Sequence, residues 1–150
     1  MITLTAGSEK IHRARADVVA LLVFEDRKTL LRQKRQLNAA LGDAAAPLDT
    51  GAFTGGFGET FLLYPLKAKT RLLLLIGGGK AGELTIEKLR RAAATTAKTA
   101  LRLRASTLAL VEPDAEALAR SPSGDEKDLW EQVGCALGEG TALSLYRFDR

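Results

Sequence analysis

The sequence predicts an α/β domain in which helices cover a layered sheet. Three observations support this class: a Val-rich apolar run at residues 17–24, a second apolar run at 71–76, and amphipathic helical patterns that alternate with the strands. Continuous apolar runs are typical of strands buried on both faces. With 150 residues, the chain suits a single domain, which we expect to span residues 1–150.

The first part of the chain predicts two strands and one long helix. Residues 2–5 alternate apolar and polar and predict a short edge strand, and residues 17–24 form the first buried strand. A helix is predicted over 28–41, and Gly42 ends it. Residues 43–58 are small and glycine-rich, and predict a loop with one short extended piece. The side chains expected near the buried face of the helix are Leu30, Leu31, Lys34, Leu37, Ala40 and Leu41.

The middle of the chain predicts a hairpin and a second helix. A strand over 59–63 is close enough to pair with the strand at 71–76 across residues 67–69. The helix begins near Thr85, a good cap, and ends near Leu103. The residues expected on its buried face, which is small enough to approach a sheet closely, are Ile86, Leu89, Ala93, Thr96, Ala97 and Ala100.

The last part of the chain predicts a strand and a final helix. The strand covers 107–111, and the helix opens at Asp125 and carries Leu129, Trp130, Val133 and Leu137. Gly134, Gly138 and Ala142 are four residues apart, and predict a narrow side where another backbone can approach. Gly138 and Gly140 together are a possible break in this helix.

The glycine run after the strand at 71–76 is the first candidate site. Its residues Gly77, Gly78, Gly79 and Lys80 predict a turn before the helix, where free backbone N–H groups can bind an anion such as a phosphate-bearing nucleotide. A P-loop is excluded because Ala81 follows the lysine. The spacing satisfies Gly-x-Gly-x-x-Gly, but the helix starts later than a dinucleotide loop requires. A plain strand-to-helix turn is the interpretation that we favour.

A stripe of cations is the second candidate. Lys88, Arg91, Thr95, Lys98 and Arg102 recur at spacings of three and four, opposite the apolar face of their helix, and all but Thr95 are cations. Four cations in one stripe can track a nucleic-acid backbone. A solvated helix face is the simpler interpretation, since neither an aromatic platform nor a recognition motif accompanies them. The 8 basic and 3 acidic residues of 51–100 give this third of the chain a charge of +5.

The remaining reactive side chains do not form a catalytic set. The carboxylates at positions 125, 126, 128 and 131 lie at a helix start, where the dipole favours negative charge. His12 lies among basic residues and is expected to be exposed. Cys135 is expected to be a small buried side chain. We therefore predict no catalytic residue and no metal ligand within this chain.

Apolar run length and cysteine content indicate where in the cell the protein is located. The uninterrupted apolar runs at 18–24 and 72–76 are far shorter than the ~20 residues of a membrane helix, and no signal peptide is visible. One cysteine cannot form an internal disulfide, which fits a reducing cytoplasm. We expect a cytoplasmic protein without a membrane partner.

Four segments in order make the chain resemble the amino-terminal domain of the leucyl (cytosol) aminopeptidases. They are residues 51–60 (GAFTGGFGET) with Tyr64 and Pro65, residues 71–80, residues 84–101 (LTIEKLRRAAATTAKTAL) and residues 138–150 (GEGTALSLYRFDR). Together the segments extend to the last residue. The resemblance implies a macro-domain-like fold, a three-layer α/β/α sandwich with a mixed sheet.

The resemblance also implies a function. The parent is an exopeptidase that releases amino-terminal residues from peptides with two divalent metal ions, zinc or manganese, bound in its carboxy-terminal domain. The Asn-Thr-Asp-Ala-Glu-Gly-Arg signature of that domain does not occur in these 150 residues, so no catalytic position is carried over and the segment alone is expected to be inactive. Its partners would be the catalytic domain and neighbouring subunits, typically of a hexamer. A free-standing module that binds ADP-ribose, or nucleic acid through the basic stripe, is the alternative.

Overall fold

The structure is a computed structural model that describes residues 15–42, 45–65, 71–111, 113, 115–119 and 125–145. Its strands are β1 (Val18–Phe24), β2 (Thr60–Leu63), β3 (Leu72–Gly79) and β4 (Leu108–Leu110). Its helices are α1 (Arg27–Leu41), α2 (Ala46–Asp49), α3 (Ile86–Arg102) and α4 (Glu126–Leu145), with a 3-10 turn at Ala115–Ala117. The strand predicted at 2–5, the hairpin turn at 67–69 and His12 lie outside the described residues.

The described strands form one mixed sheet in the order β2-β3-β1-β4. β1 is parallel to both β3 and β4, and β2 is antiparallel to β3, with Thr60 opposite Ile76 and Leu63 opposite Leu73. The predicted pairing of the strands on either side of residues 67–69 is therefore confirmed. So is the α/β class with a mixed sheet.

Both faces of the sheet are buried, which explains the uninterrupted apolar strands. Val18, Ala20 and Leu22 of β1 pack on one face against α3 and α4. Val19 and Val23 pack on the other face with residues of α1 and α2, and with Phe53. Because neighbouring residues of a strand point to opposite faces, a strand covered on both sides is apolar throughout. The result is the predicted three-layer arrangement.

The helix α3 begins and packs as its sequence predicts. The Thr85 hydroxyl accepts a hydrogen bond from the Lys88 backbone N–H at 3.2 Å, and Glu87 lies in the first turn. Small side chains fill the buried face, including Ala93 and Ala97. This face packs against the sheet and against α4, so the helices and β1 share one core.

Three predictions about the helices are wrong. The close approach in α4 occurs at Gly140, where an added Cβ would lie 2.3 Å from the carbonyl oxygen of Arg90, whereas Gly134 has nothing within 4 Å. α4 also continues through Gly138 and Gly140 without a break, because packing on α3 holds this segment helical. On α1, Leu31 is 46% exposed and does not belong to the buried face.

The loop predicted over 43–58 contains a helix instead of an extended piece. Residues Ala46–Asp49 form α2, with Pro47 in its first turn, where the fixed φ of proline suits a helix. Pro47 and Leu48 are buried, and Leu48 packs with Phe53 against the α1 face of the sheet. Burial of these two side chains therefore stabilises a helix that is too short to form alone.

Candidate functional site

The carboxyl ends of β1 and β3 form the position where an α/β sheet most often binds a ligand. α1 follows β1 on one face of the sheet, and α3 follows β3 on the opposite face. Adjacent parallel strands whose helices leave to opposite faces open a crevice at their carboxyl ends. The predicted glycine turn lies at this crevice.

The glycine run is part of the strand, which corrects the predicted turn. β3 includes Gly77, Gly78 and Gly79, and the turn lies beyond them at residues 80–82. Residues 55–59, which we call the crossing segment, lie over these glycines. An added Cβ at Gly77 would lie 1.8 Å from the carbonyl oxygen of Gly56, so only glycine permits the crossing.

Hydrogen bonds fix the crossing segment on β3. The Gly77 N–H donates to the carbonyl oxygen of Glu59 at 2.7 Å, and the Gly79 N–H donates to that of Gly55 at 2.9 Å. Beyond the strand, the Ala81 N–H donates to the carboxylate of Asp26. Two donors of the candidate ligand turn, and the Ala81 N–H just after it, are therefore occupied by the chain itself. The Lys80 side chain is exposed beside them.

The Glu59 carboxylate organises the crossing segment. One of its oxygens accepts hydrogen bonds from the Thr54 hydroxyl at 2.8 Å, the Thr54 N–H at 3.0 Å and the Gly56 N–H at 3.2 Å. These bonds, the Thr54 hydroxyl foremost, hold the pKa of Glu59 below its ordinary value. The negative charge stabilises the loop and is not a poised base.

Gln33 completes this end of the sheet, and the sequence analysis missed it. Its side-chain amide accepts a hydrogen bond from the Phe24 N–H at 3.0 Å and donates one to the Leu22 carbonyl at 2.8 Å. β4 ends opposite Ala20, so among the described strands β1 has no neighbour on that side beyond this point. The amide of Gln33 takes the place of that neighbour. The available signal was a polar residue one turn before Leu37 on the buried stripe of α1.

The basic stripe of α3 divides into two halves. In the first half, the Lys88 ammonium lies 5.5 Å from the centroid of the Phe57 ring, and Arg91 pairs with Glu87 at 3.3 Å. Arg90, beside the stripe, pairs with both Glu87 and Glu139. Lys98 and Arg102, in the second half, are exposed and line a groove next to β2. The structure therefore does not present the four predicted cations as one free row.

The amino end of the sheet holds a shallow cavity and a second organising carboxylate. Arg15, Asp17, Arg71 and Thr107 line about 490 Å³ there. The Asp17 carboxylate accepts hydrogen bonds from the Ser106 N–H at 2.7 Å and the Thr107 N–H at 3.2 Å. These bonds, with Ser106 the stronger influence, lower the pKa of Asp17. They join the start of β1 to the start of β4.

Two further candidates occupy α4. Asp125 opens the helix as predicted, with its carboxylate accepting a hydrogen bond from the Lys127 N–H at 3.0 Å. Cys135 is exposed, which corrects the expected buried thiol. Within the ranges that the structure describes, no group of three or more His, Cys, Asp or Glu is placed to hold a metal ion. No helix there is long and apolar enough to cross a bilayer.

Over residues 20–150, the sequence matches the family model of the amino-terminal domain of the cytosol aminopeptidase family. Relatives from Persephonella marina (30% identical, 99% of this chain), Thermosynechococcus vestitus (32%, 87%) and Alkaliphilus metalliredigens (29%, 95%) are each named a probable cytosol aminopeptidase. The matched parts cover 28%, 25% and 27% of those proteins. The chain thus spans about a quarter of the length of these relatives.

Solved structures show the same fold at low sequence identity. A tomato leucine aminopeptidase matches with a TM-score of 0.64 at 16% identity, over 94% of this chain and 27% of that one. The macrodomain of Mycobacterium tuberculosis DarG matches with a TM-score of 0.58, also at 16% identity, over 93% of this chain and 90% of that one. The macro-domain-like fold predicted from the resemblance is confirmed.

Proposed function

We propose that this chain, which belongs to the cytosol aminopeptidase family and corresponds to its amino-terminal domain, is a non-catalytic assembly and regulatory part of a metal-dependent exopeptidase. The family match over residues 20–150 is the observation that carries the proposal. The relatives support it, because they share most of this chain and contain roughly three times as much sequence besides.

The parent enzyme would release amino-terminal residues from peptides in the cytoplasm. Two divalent ions, zinc or manganese, would be held by its carboxy-terminal domain, where they would activate a water molecule and polarise the peptide carbonyl. We derive no chemical step from the described residues. Their proposed task is to hold a stable surface against the catalytic domain and against neighbouring subunits of a hexamer.

Two exposed apolar side chains are the contacts that we expect a partner to cover. Tyr64, 72% exposed, follows the edge strand β2, and Leu143, 70% exposed, lies near the end of α4. Aromatic and leucine side chains gain most from burial when a partner removes them from water.

A domain exchange tests the proposal. The matching amino-terminal segment of the Persephonella marina relative is replaced by this chain, and the product is compared with the same relative lacking that segment. We expect the exchanged protein to assemble, and to hydrolyse leucine-p-nitroanilide with added manganese, and we expect the shortened one to fail in assembly. Light scattering reports assembly, and absorbance reports hydrolysis.

The isolated chain supplies the opposing outcome. We expect it to release no p-nitroaniline with either manganese or zinc. Turnover by the isolated 150 residues, lost on chelation, would show that this domain is itself catalytic.

A further inference from the structure

A groove between α3 and β2 has the composition of an oxyanion site. It encloses about 290 Å³, and its lining residues are Gly58, Thr60, Thr95, Lys98, Thr99 and Arg102. Three of these carry hydroxyl groups, two are cations, and none is a carboxylate. Phosphate and sulfate oxygens accept hydrogen bonds from charged N–H donors and from hydroxyl groups.

The groove exists because the sheet extends past the helices on that side. β2 is the edge strand and pairs, among the described strands, with β3 alone. Leu62 packs into the core below α3, and Thr60 lies on the same face two residues earlier. α4 packs on α3 away from this edge, against β1 and β3 through their shared core. The start of β2 and the side of α3 that carries Lys98 and Arg102 therefore remain open to solvent.

The two cations of the groove lack an acidic partner in the described part of the chain. Lys98 and Arg102 are one turn apart, so their like charges repel each other. Two acids beside the stripe, Glu87 and Glu139, pair with Arg90 and Arg91. None of the ion pairs found includes Lys98 or Arg102. An anion between them would relieve the repulsion.

We propose that the α3–β2 groove binds a phosphate group, held by Lys98 and Arg102 with the hydroxyls of Thr60 and Thr95 as further donors. The volume is slightly below the ~300–1,000 Å³ of sites that enclose a drug-sized ligand, so it suits free phosphate or the phosphate end of a small molecule. The donors of this site are not those of the glycine run at β3, although Gly58 of the crossing segment lines the groove beside that run. The site does not depend on the proposed peptidase parent.

Titration of the ¹⁵N-labelled chain tests the proposal by nuclear magnetic resonance at constant chloride concentration. The probes are inorganic phosphate, adenosine monophosphate and adenosine. We expect both phosphates to shift the amide signals of Thr60, Lys98 and Arg102 saturably, with Kd of about 1 mM. Equal Kd values identify free phosphate as sufficient, and a tenfold lower value for the nucleotide identifies a phosphorylated nucleoside. Shifts of the same signals by adenosine, or no shift with phosphate at ten times that concentration, would overturn it.

Paired double variants separate the groove from the general charge of α3. Lys98→Gln with Arg102→Gln should weaken phosphate binding at least tenfold. Lys88→Gln with Arg91→Gln removes the same charge from the engaged half of the stripe, and should change Kd less than twofold. If both double variants weaken phosphate binding equally, the whole stripe acts through diffuse charge and the localised site is contradicted. The same conclusion would follow if both double variants weakened the binding of an oligonucleotide equally. Dispersed spectra establish that each variant is folded.

Discussion

The carboxyl end of the sheet and the α3–α4 contact both bring one backbone against another, but with different chemistry. At the sheet, the crossing segment lies over β3, and glycine faces glycine: an added Cβ on Gly77 would be 1.8 Å from the Gly56 carbonyl oxygen. Between the helices, Gly140 of α4 meets the backbone of Arg90 and the Cβ of Ala93 in α3. The sheet contact is hydrogen-bonded, whereas helix backbones bond within each helix.

A glycine is required where an added Cβ would meet another backbone, and it is only tolerated where the added Cβ would meet nothing. In the crossing, a side chain would both clash with a backbone and break hydrogen bonds. In α4, Gly134 has open space while Gly140, less than two turns later, does not. The crossing segment also accounts for the glycine run of β3, because amides of that run donate hydrogen bonds to the crossing segment. No bound ligand is needed to explain the run. The open groove, by contrast, has side-chain donors and no partner from the described chain.

The largest effect is expected at the centre of the crossing. Gly77→Ala should lower the free energy of unfolding by about 3 kcal/mol or more, because the new methyl meets a backbone carbonyl that cannot rotate away. Urea unfolding followed by circular dichroism measures the change. A loss below about 1 kcal/mol would mean that the crossing segment yields easily and that the glycine run is not required for packing.

The next effect tests the amide that extends the edge of β1. Gln33→Leu should cost about 2–4 kcal/mol, since it leaves the Phe24 N–H and the Leu22 carbonyl buried without a partner. Gln36→Leu is the matched control on the exposed side of α1, and should change stability by less than about 0.5 kcal/mol. Similar losses in the two variants would contradict the role of Gln33.

Two glycines of α4 show the same contrast in packing within one helix. Gly140→Ala should destabilise by about 1–3 kcal/mol, because its methyl would overlap the Arg90 carbonyl. Gly134→Ala should stabilise by about 0.5–1 kcal/mol, since alanine prefers the helix and meets nothing there. Thermal unfolding of both variants gives the signs, and equal signs would refute the difference in packing.

The smallest effect is a dependence on pH at Glu59. Its pKa in the folded chain is below the ordinary 4.5, so the folded state binds fewer protons than the unfolded state between those two values. The stabilisation is complete above the unfolded pKa and is lost as pH falls through the folded one. Because the carboxylate is exposed to solvent, we expect its ionisation to contribute less than about 1 kcal/mol to the free energy of unfolding.

Comparison with Glu59→Gln measures this contribution. The difference in urea midpoint between the two proteins should be present at neutral pH and should disappear in acid. A difference that stays constant as pH falls would mean that shape, rather than charge, accounts for the role of Glu59 at the crossing.

Local patterns in the sequence were enough to predict the α/β class, the order of the described strands and long helices, and the N-cap of α3. These follow from local patterns: apolar runs for strands covered on both faces, a 3.6-residue period for α3, Thr85 as its first cap and Gly42 as the end of α1. Four family-like segments also identified the domain, because their order along the chain can be read without a structure.

The residues that hold distant segments together were identified from the folded structure. The role of Gly77 depends on a segment about twenty residues earlier, that of Gln33 on where β4 ends, and that of Gly140 on Arg90 in another helix. The exposure of Cys135 and the division of the basic stripe likewise depend on which residues lie beside them in the folded structure. Local periodicity encodes an element, but a contact between distant segments exists only once the sheet has aligned them.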